Sequence, residues 1–202
     1  MNKSQVYENI VTVDEINDIL SFYPDKEDAQ TEKGIVNKNL EYHIPENFIY
    51  KLLYPKLFDI LGEHEFDGGA FKEAHTAYPM HVDTENAHYE IGSMSLSTAE
   101  KKHDLSMLIP LVEGPQFKTV TFDIFDSGNY HDKLAGYQQT KNQLVAEDFN
   151  HDNFGIIQNL PVDIVFEWKL GSMLTWPRSQ WHASTNFAQY GLIKKFLILF
   201  IR

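Results

Sequence analysis

The sequence predicts a mostly-β domain of the α+β class, a sandwich or barrel such as a jelly roll, with helices at its N-terminal end packed on a sheet. Three observations predict it. Helical periodicity is confined to the part before Gly68, the apolar pattern then changes to period two, and a series of short strand-like runs follows with a single long insert.

The first element is a helix over residues 12–23. Thr12 and Glu15 form a capping box, and Ile16, Ile19, Leu20 and Tyr23 fall on one face. Pro24 to Lys38 is polar and reads as a loop. From Pro45 to about Gly62, Phe48, Leu52, Leu53, Leu57, Ile60 and Leu61 mark a second helical stretch, which Pro55 should kink or divide. Ala70–Tyr78 is the first candidate strand. Leu105, Met107, Ile109 and Leu111 alternate in another. Phe117–Phe125 follows a Gly114-Pro115 turn, Val162–Lys169 follows Pro161, and Gly171–Trp176 and Leu192–Ile201 complete the set. We therefore expect one domain over 1–202, with a helical part at 1–67 and a barrel at 68–202 that carries an insert at about 127–160.

At 202 residues, with 43% hydrophobic and 23% charged side chains, the chain can bury a core without staples. No apolar run approaches the ~18 residues of a membrane span. The opening Met1-Asn2-Lys3-Ser4-Gln5 lacks the apolar segment of a signal peptide, so a cytoplasmic location without membrane contact is expected. There are no cysteines, which removes disulfides, thiolate metal sites and cysteine nucleophiles together. Any metal must be held by nitrogen and oxygen, which suits Fe(II), Mn(II) or Zn(II). A net charge of −12 argues against a nucleic-acid partner, because phosphate contacts need basic surface.

Nine histidines supply the nitrogen. His81-Val82-Asp83 is a His-x-Asp pair whose members share one face if the backbone is extended. With 9 His and 29 acidic residues in 202 positions, about one such pair arises by chance, and the chain has two, the other being His88-Tyr89-Glu90. His81 comes directly off a strand-like run, whereas His88 follows a loop-like one, and rigid elements are what fix ligands. His182, at the end of Gly171–His182, is the third candidate, although its own residues read slightly better as one more half-buried histidine. Two His and one carboxylate on one face of an octahedron leave open positions, the pattern of non-haem Fe(II) oxygenases.

Over about residues 70–202 the sequence resembles the Fe(II)/2-oxoglutarate-dependent oxygenases, in particular small members related to prolyl and phytanoyl-type hydroxylases. The likeness rests on Tyr78-x-x-His81-x-Asp83, on Gly171 through His182, and on Gly191 through Phe200. It implies a double-stranded β-helix with the helices on its major sheet. It implies iron held by His81, Asp83 and His182, 2-oxoglutarate as co-substrate, O₂, and hydroxylation of a small-molecule or peptidyl substrate. The family's basic residue for the distal carboxylate falls on Lys194 or Lys195, where relatives usually carry Arg. Alternation admits one of the two to the barrel, and Lys194 is favoured because Phe200 then faces inward. Tyr78 is either a donor to the same carboxylate or a barrel-wall aromatic. Tyr130, His131, Tyr137 and Phe149 of the insert are candidates to cover the substrate. Two rivals stand beside this reading: a cupin-like metal protein that does not use 2-oxoglutarate, with His75 or His88 as a fourth ligand, and a non-enzymatic jelly roll.

Overall fold

A computed structural model describes residues 3–21, 30–31, 39–44, 46–83, 105–125, 142–152 and 154–201. Among these, the N-terminal part begins with β1 (Gln5–Tyr7) and helix α1 (Val13–Ser21). The capping box forms in both directions: Thr12 donates its backbone N–H to Glu15 at 2.7 Å, and Glu15 donates its own to the Thr12 hydroxyl at 3.2 Å. Ile16 and Ile19 are the buried residues of the helix. β2 (Gln30–Thr31) and β3 (Leu40–His43) follow.

Pro55 divides the second helix as expected. It has no N–H to donate to the preceding turn, and the chain widens to an i→i+5 turn over Ile49–Leu53 between α2 (Glu46–Phe48) and α3 (Tyr54–Leu61). Pro55 then sits in the first turn of α3.

The strands that follow are β4 (Phe66–Ala74), β5 (Leu105–Pro110), β6 (Lys118–Phe125), β7 (Val162–Glu167), β8 (Met173–Pro177), β9 (Gln180–Ser184) and β10 (Lys194–Ile201). They form a seven-stranded sheet in the order β1-β8-β5-β10-β4-β3-β2 and a three-stranded sheet in the order β7-β6-β9, with every pairing antiparallel. This is the jelly-roll, double-stranded β-helix architecture. The expected strand Ala70–Tyr78 is shifted: β4 starts at Phe66 and ends at Ala74. The shift has a packing cause. A Cβ at Gly69 would lie 2.7 Å from the Ile198 carbonyl and from the Leu199 side chain, so a glycine inside the strand lets β4 approach β10.

Side-chain alternation sorts the sheets into layers. On one face of the large sheet Phe71, Met107, Ile109, Leu197 and Leu199 pack with Ile16 and Ile19 of α1 and Leu53 and Leu57 of the second helical stretch. Its other face meets the small sheet through Leu108, Leu174, Phe196 and Ile198, against Phe166, Trp168 and Phe187. Behind the small sheet Val120, Phe122 and Ile124 pack with Phe149, Ile157 and Leu160. Phe149, expected over the substrate, is therefore a core residue at 1% exposure, because the latter part of the insert docks on the outer face of the small sheet. Tyr130, His131 and Tyr137 lie outside the described residues. Among those described, no helix is long and apolar enough to cross a membrane.

Candidate metal centre

After β4 the chain leaves the large sheet and runs antiparallel beside β9. His81 and His182 exchange both backbone hydrogen bonds at 2.9 Å, and Ser184 donates its N–H to the Tyr78 carbonyl at 3.3 Å. The extended path at 81–83 puts His81 and Asp83 on the same side, the outcome expected of period two. Thus His182, 99 residues from Asp83, is brought to the pair by the fold. The candidate ligand atoms of His81, Asp83 and His182 lie within 4.8 Å of one another.

Each imidazole is held by its other nitrogen. His81 Nδ1 is 2.7 Å from the Pro79 carbonyl and His182 Nδ1 is 3.1 Å from the Gln180 carbonyl. A carbonyl only accepts, so Nδ1 carries the proton and the Nε2 lone pair is left for a cation. The two Nε2 atoms face Asp83, at 3.7 Å from Oδ1 and 3.6 Å from Oδ2. Adjacent ligands with bonds of about 2.1 Å stand about 3 Å apart on one ion, so a small inward turn of these groups closes the set. The donor set fits a divalent metal.

Asp83 is buried, which works against its charge, but the imidazoles of His182 and His81, the Ser106 hydroxyl and the Trp176 indole N–H outweigh this and hold it below the ordinary carboxylate value. Ser106 on β5 and Trp176 on β8 both donate to Oδ2, at 2.7 and 3.1 Å. Burial pushes His182 down to about 4, so its ring is neutral at pH 7 without any metal.

Lys194 and Lys195 part company at the start of β10. Lys194 is on the face toward the small sheet and is 1% exposed. Its Nζ donates to the Lys118 carbonyl at 3.2 Å and lies 4.4 Å and 4.9 Å from the ring centroids of Trp168 and Phe187. No carboxylate pairs with it among the described residues, and burial pushes its pKa well below the ordinary lysine value. Lys195 faces the helices, with its Nζ 3.4 Å from buried Glu73. His75 is on Glu73 as well, at 2.8 Å, and not with the triad; His88 lies outside the described residues. The Tyr78 ring stands 6.0 Å from that of His81 and edge-on to Phe196, two residues along from Lys194.

Sequence reasoning missed Arg178. Its carbonyl accepts the Asp83 N–H at 2.8 Å, its Nε donates to the Asp83 carbonyl at 3.2 Å, its Nη1 pairs with Asp67 at 2.7 Å, and its guanidinium lies 4.8 Å over Phe200. The inward turn of Phe200, used to choose between the lysines, thus serves Arg178. Only the arginine itself, five residues after Met173 in the run toward His182, was visible as a signal.

Fold and site define a class: a double-stranded β-helix with a His-x-Asp…His cluster between its sheets. No protein-family model matches the chain, and no curated protein does. Solved structures do. A prolyl-4-hydroxylase from Pseudomonas putida has a TM-score of 0.57 at 11% identity, covering 100% of this chain and 93% of that one. HygX from Streptomyces hygroscopicus, solved with nickel and 2-oxoglutarate bound, has a TM-score of 0.59 at 10% identity over 98% and 82% of the two chains. The non-heme α-ketoglutarate dependent epimerase SnoN from nogalamycin biosynthesis has a TM-score of 0.61 at 8% identity over 99% and 78%. The chain has the fold of the 2-oxoglutarate/Fe(II) oxygenases.

Proposed function

We propose that this protein is a 2-oxoglutarate-dependent Fe(II) oxygenase that hydroxylates a small-molecule or peptidyl substrate, with His81, Asp83 and His182 as the metal ligands. The observation that carries the reading is Lys194, a buried amine without a carboxylate partner among the described residues, on the strand face whose Phe196 packs against Tyr78 beside His81. A dianion with one end at the metal and a carboxylate at Lys194 supplies the charge that this amine lacks.

Iron bound here would supply the oxidising power, drawn from O₂ and 2-oxoglutarate. The chain does the rest. Ser106 and Trp176 hold one oxygen of Asp83 and leave the other toward His81; Arg178 pins the backbone of Asp83 from both sides. The Pro79 and Gln180 carbonyls fix the ring tautomers. Lys194 takes the distal carboxylate, with Trp168 and Phe187 keeping water away from it, and Tyr78, whose ring packs near His81 and Phe196, is proposed to flank the same ligand. Lys195, held by Glu73 on the other face, takes no part. Hydroxylation is the outcome proposed for this site.

The test is an anaerobic titration of metal-free protein with Fe(II) and then 2-oxoglutarate, watching the visible charge-transfer band of the chelate. The band should form in the wild type and be lost in His81→Ala, Asp83→Ala and His182→Ala. In Lys194→Ala it should need far more 2-oxoglutarate. Tight metal binding without a band would replace this reading with a cupin-like metal protein, and absence of metal binding would leave a structural jelly roll.

A further inference from the structure

Between the wide turn Ile49–Leu53 and the start of β4 lies a groove of about 590 Å³, lined by Tyr50, Tyr54, Glu63, His64 and Glu65. One wall is aromatic. The Tyr50 ring is 5.7 Å from that of Tyr54 and stands edge-on to Phe66 at 5.7 Å, and the His64 ring is 4.9 Å from Tyr54. Tyr50 is 51% exposed, so a large π surface is left facing solvent. It is carried by the i→i+5 turn, a rare geometry that recurs at functional sites.

His64 is the second, independent observation. It is 6% exposed, and its Nδ1 is 2.7 Å from the Gly62 carbonyl, which fixes the proton on that nitrogen. Nε2 of the neutral ring is then an acceptor. It is buried and has no hydrogen-bond partner among the described residues. Buried acceptors are nearly always satisfied in native proteins, so one left open beside a groove asks for a donor.

We propose that this groove binds a guanidinium group, as an arginine side chain of a peptide carries it. Tyrosine faces attract a cation, and the carboxylates of Glu63 and Glu65 add charge of the matching sign. The guanidinium offers a flat face for the rings and a fork of N–H donors for the carboxylates and for His64 Nε2. An ammonium group lacks the flat face, and an anion meets the wrong sign. Phe66, which closes the aromatic wall, is followed by Asp67, the partner of Arg178 on Asp83, so the groove borders the end of the barrel that holds the triad. Binding itself requires neither metal nor 2-oxoglutarate. Nε2 is buried as well as unpaired, so a guanidinium reaches it only with a rearrangement around His64, which the imidazole signal would report.

The experiment uses the full chain, ¹⁵N-labelled at histidine, in chelator. The His64 signal is assigned by its loss in His64→Gln. N-acetyl-arginine methylamide is titrated in, with N-acetyl-lysine methylamide as comparator. Expected are a saturable shift of His64 Nε2 with the arginine probe, and binding weakened roughly fivefold or more in Tyr50→Ala and in Glu63→Gln/Glu65→Gln, consistent with a cation–π contribution. All three altered residues are exposed, and thermal melts confirm that each variant is folded. A linear, non-saturating response, equal shifts with the lysine probe, or shifts unchanged in both folded variants would overturn the proposal. Because the chelator removes metal, failure here leaves the oxygenase reading untouched, and failure of the iron titration leaves this site untouched.

Discussion

Lys194 sets its amine in a place that water does not reach, and its two aromatic neighbours and one carbonyl replace only part of the hydration that the charged form needs. Its depressed pKa means that the folded, empty protein resists its charge. The cost is fully present below the folded pKa and disappears as pH rises toward the unfolded lysine value. Lys194→Met removes it, and the metal-free variant should be more stable by about 1–2 kcal/mol, read as a melting temperature higher by a few degrees. The same variant should lose the 2-oxoglutarate band. A variant that melts lower yet keeps the band would show that the amine is structural. His182 follows the same sign over a lower pH range. Its ring takes a proton near 6.5 in the unfolded chain and only near 4 in the folded one. Its contribution is therefore fully present above pH 6.5 and is lost as pH falls toward 4, on the order of 3 kcal/mol in all. Asp83, held below the ordinary carboxylate value, loses its share only at still lower pH. Urea unfolding in chelator at pH 7.5 and 4.5 checks this: His182→Gln should flatten the difference, and an identical loss in both proteins would assign it elsewhere.

At the scale of elements, what the sequence made legible was local pattern, and what it hid was contact over distance. The capping box at Thr12 and Glu15, the alternation in β5 and the division at Pro55 each depend on neighbours within a few residues, and each could be read directly. The start of β4 could not, because Gly68 and Gly69 look like a break until β10 is seen lying against them. β1 and β3 are too short to show a period. The His-x-Asp pair was readable as a pair, whereas the Asp67–Arg178 bridge spans 111 residues and no local signal announces it. Gly171 is another such hidden contact. Its carbonyl accepts the N–H of Ile10 at 2.7 Å, its φ is +81°, and a Cβ there would meet the Val11 carbonyl at 2.7 Å. Gly171→Ala should therefore cost about 2–3 kcal/mol, from a left-handed backbone together with a backbone clash. Gly191 has φ +70° but open space around it, so Gly191→Ala should cost only about 1–2 kcal/mol. Equal losses in denaturant midpoint for the two variants would mean that the Val11 contact is not felt.

At the scale of the whole molecule, three apolar layers flank the two sheets, and the candidate chemistry lies between them where both sheets contribute. The small sheet presents His182 inward and Val120, Phe122 and Ile124 outward, so its outer layer supports the wall that carries a metal ligand. That layer includes Phe149, Ile157 and Leu160, all from the latter part of the insert. The insert at 127–160 can therefore be altered in two ways with different consequences. Removing all of it strips the back of the small sheet and should unfold the site. Replacing only residues 128–140 with a short polar linker leaves Phe149 and its neighbours in place, and the iron/2-oxoglutarate band should survive. Phe149→Ala should instead cost about 3–5 kcal/mol and weaken the band through loss of folded protein, recoverable at low temperature. Paired measurements of thermal melting and of the band in these two variants separate the roles. If the linker variant melts like the wild type but loses the band, residues 128–140 belong to the co-substrate site and not to a cover over the substrate.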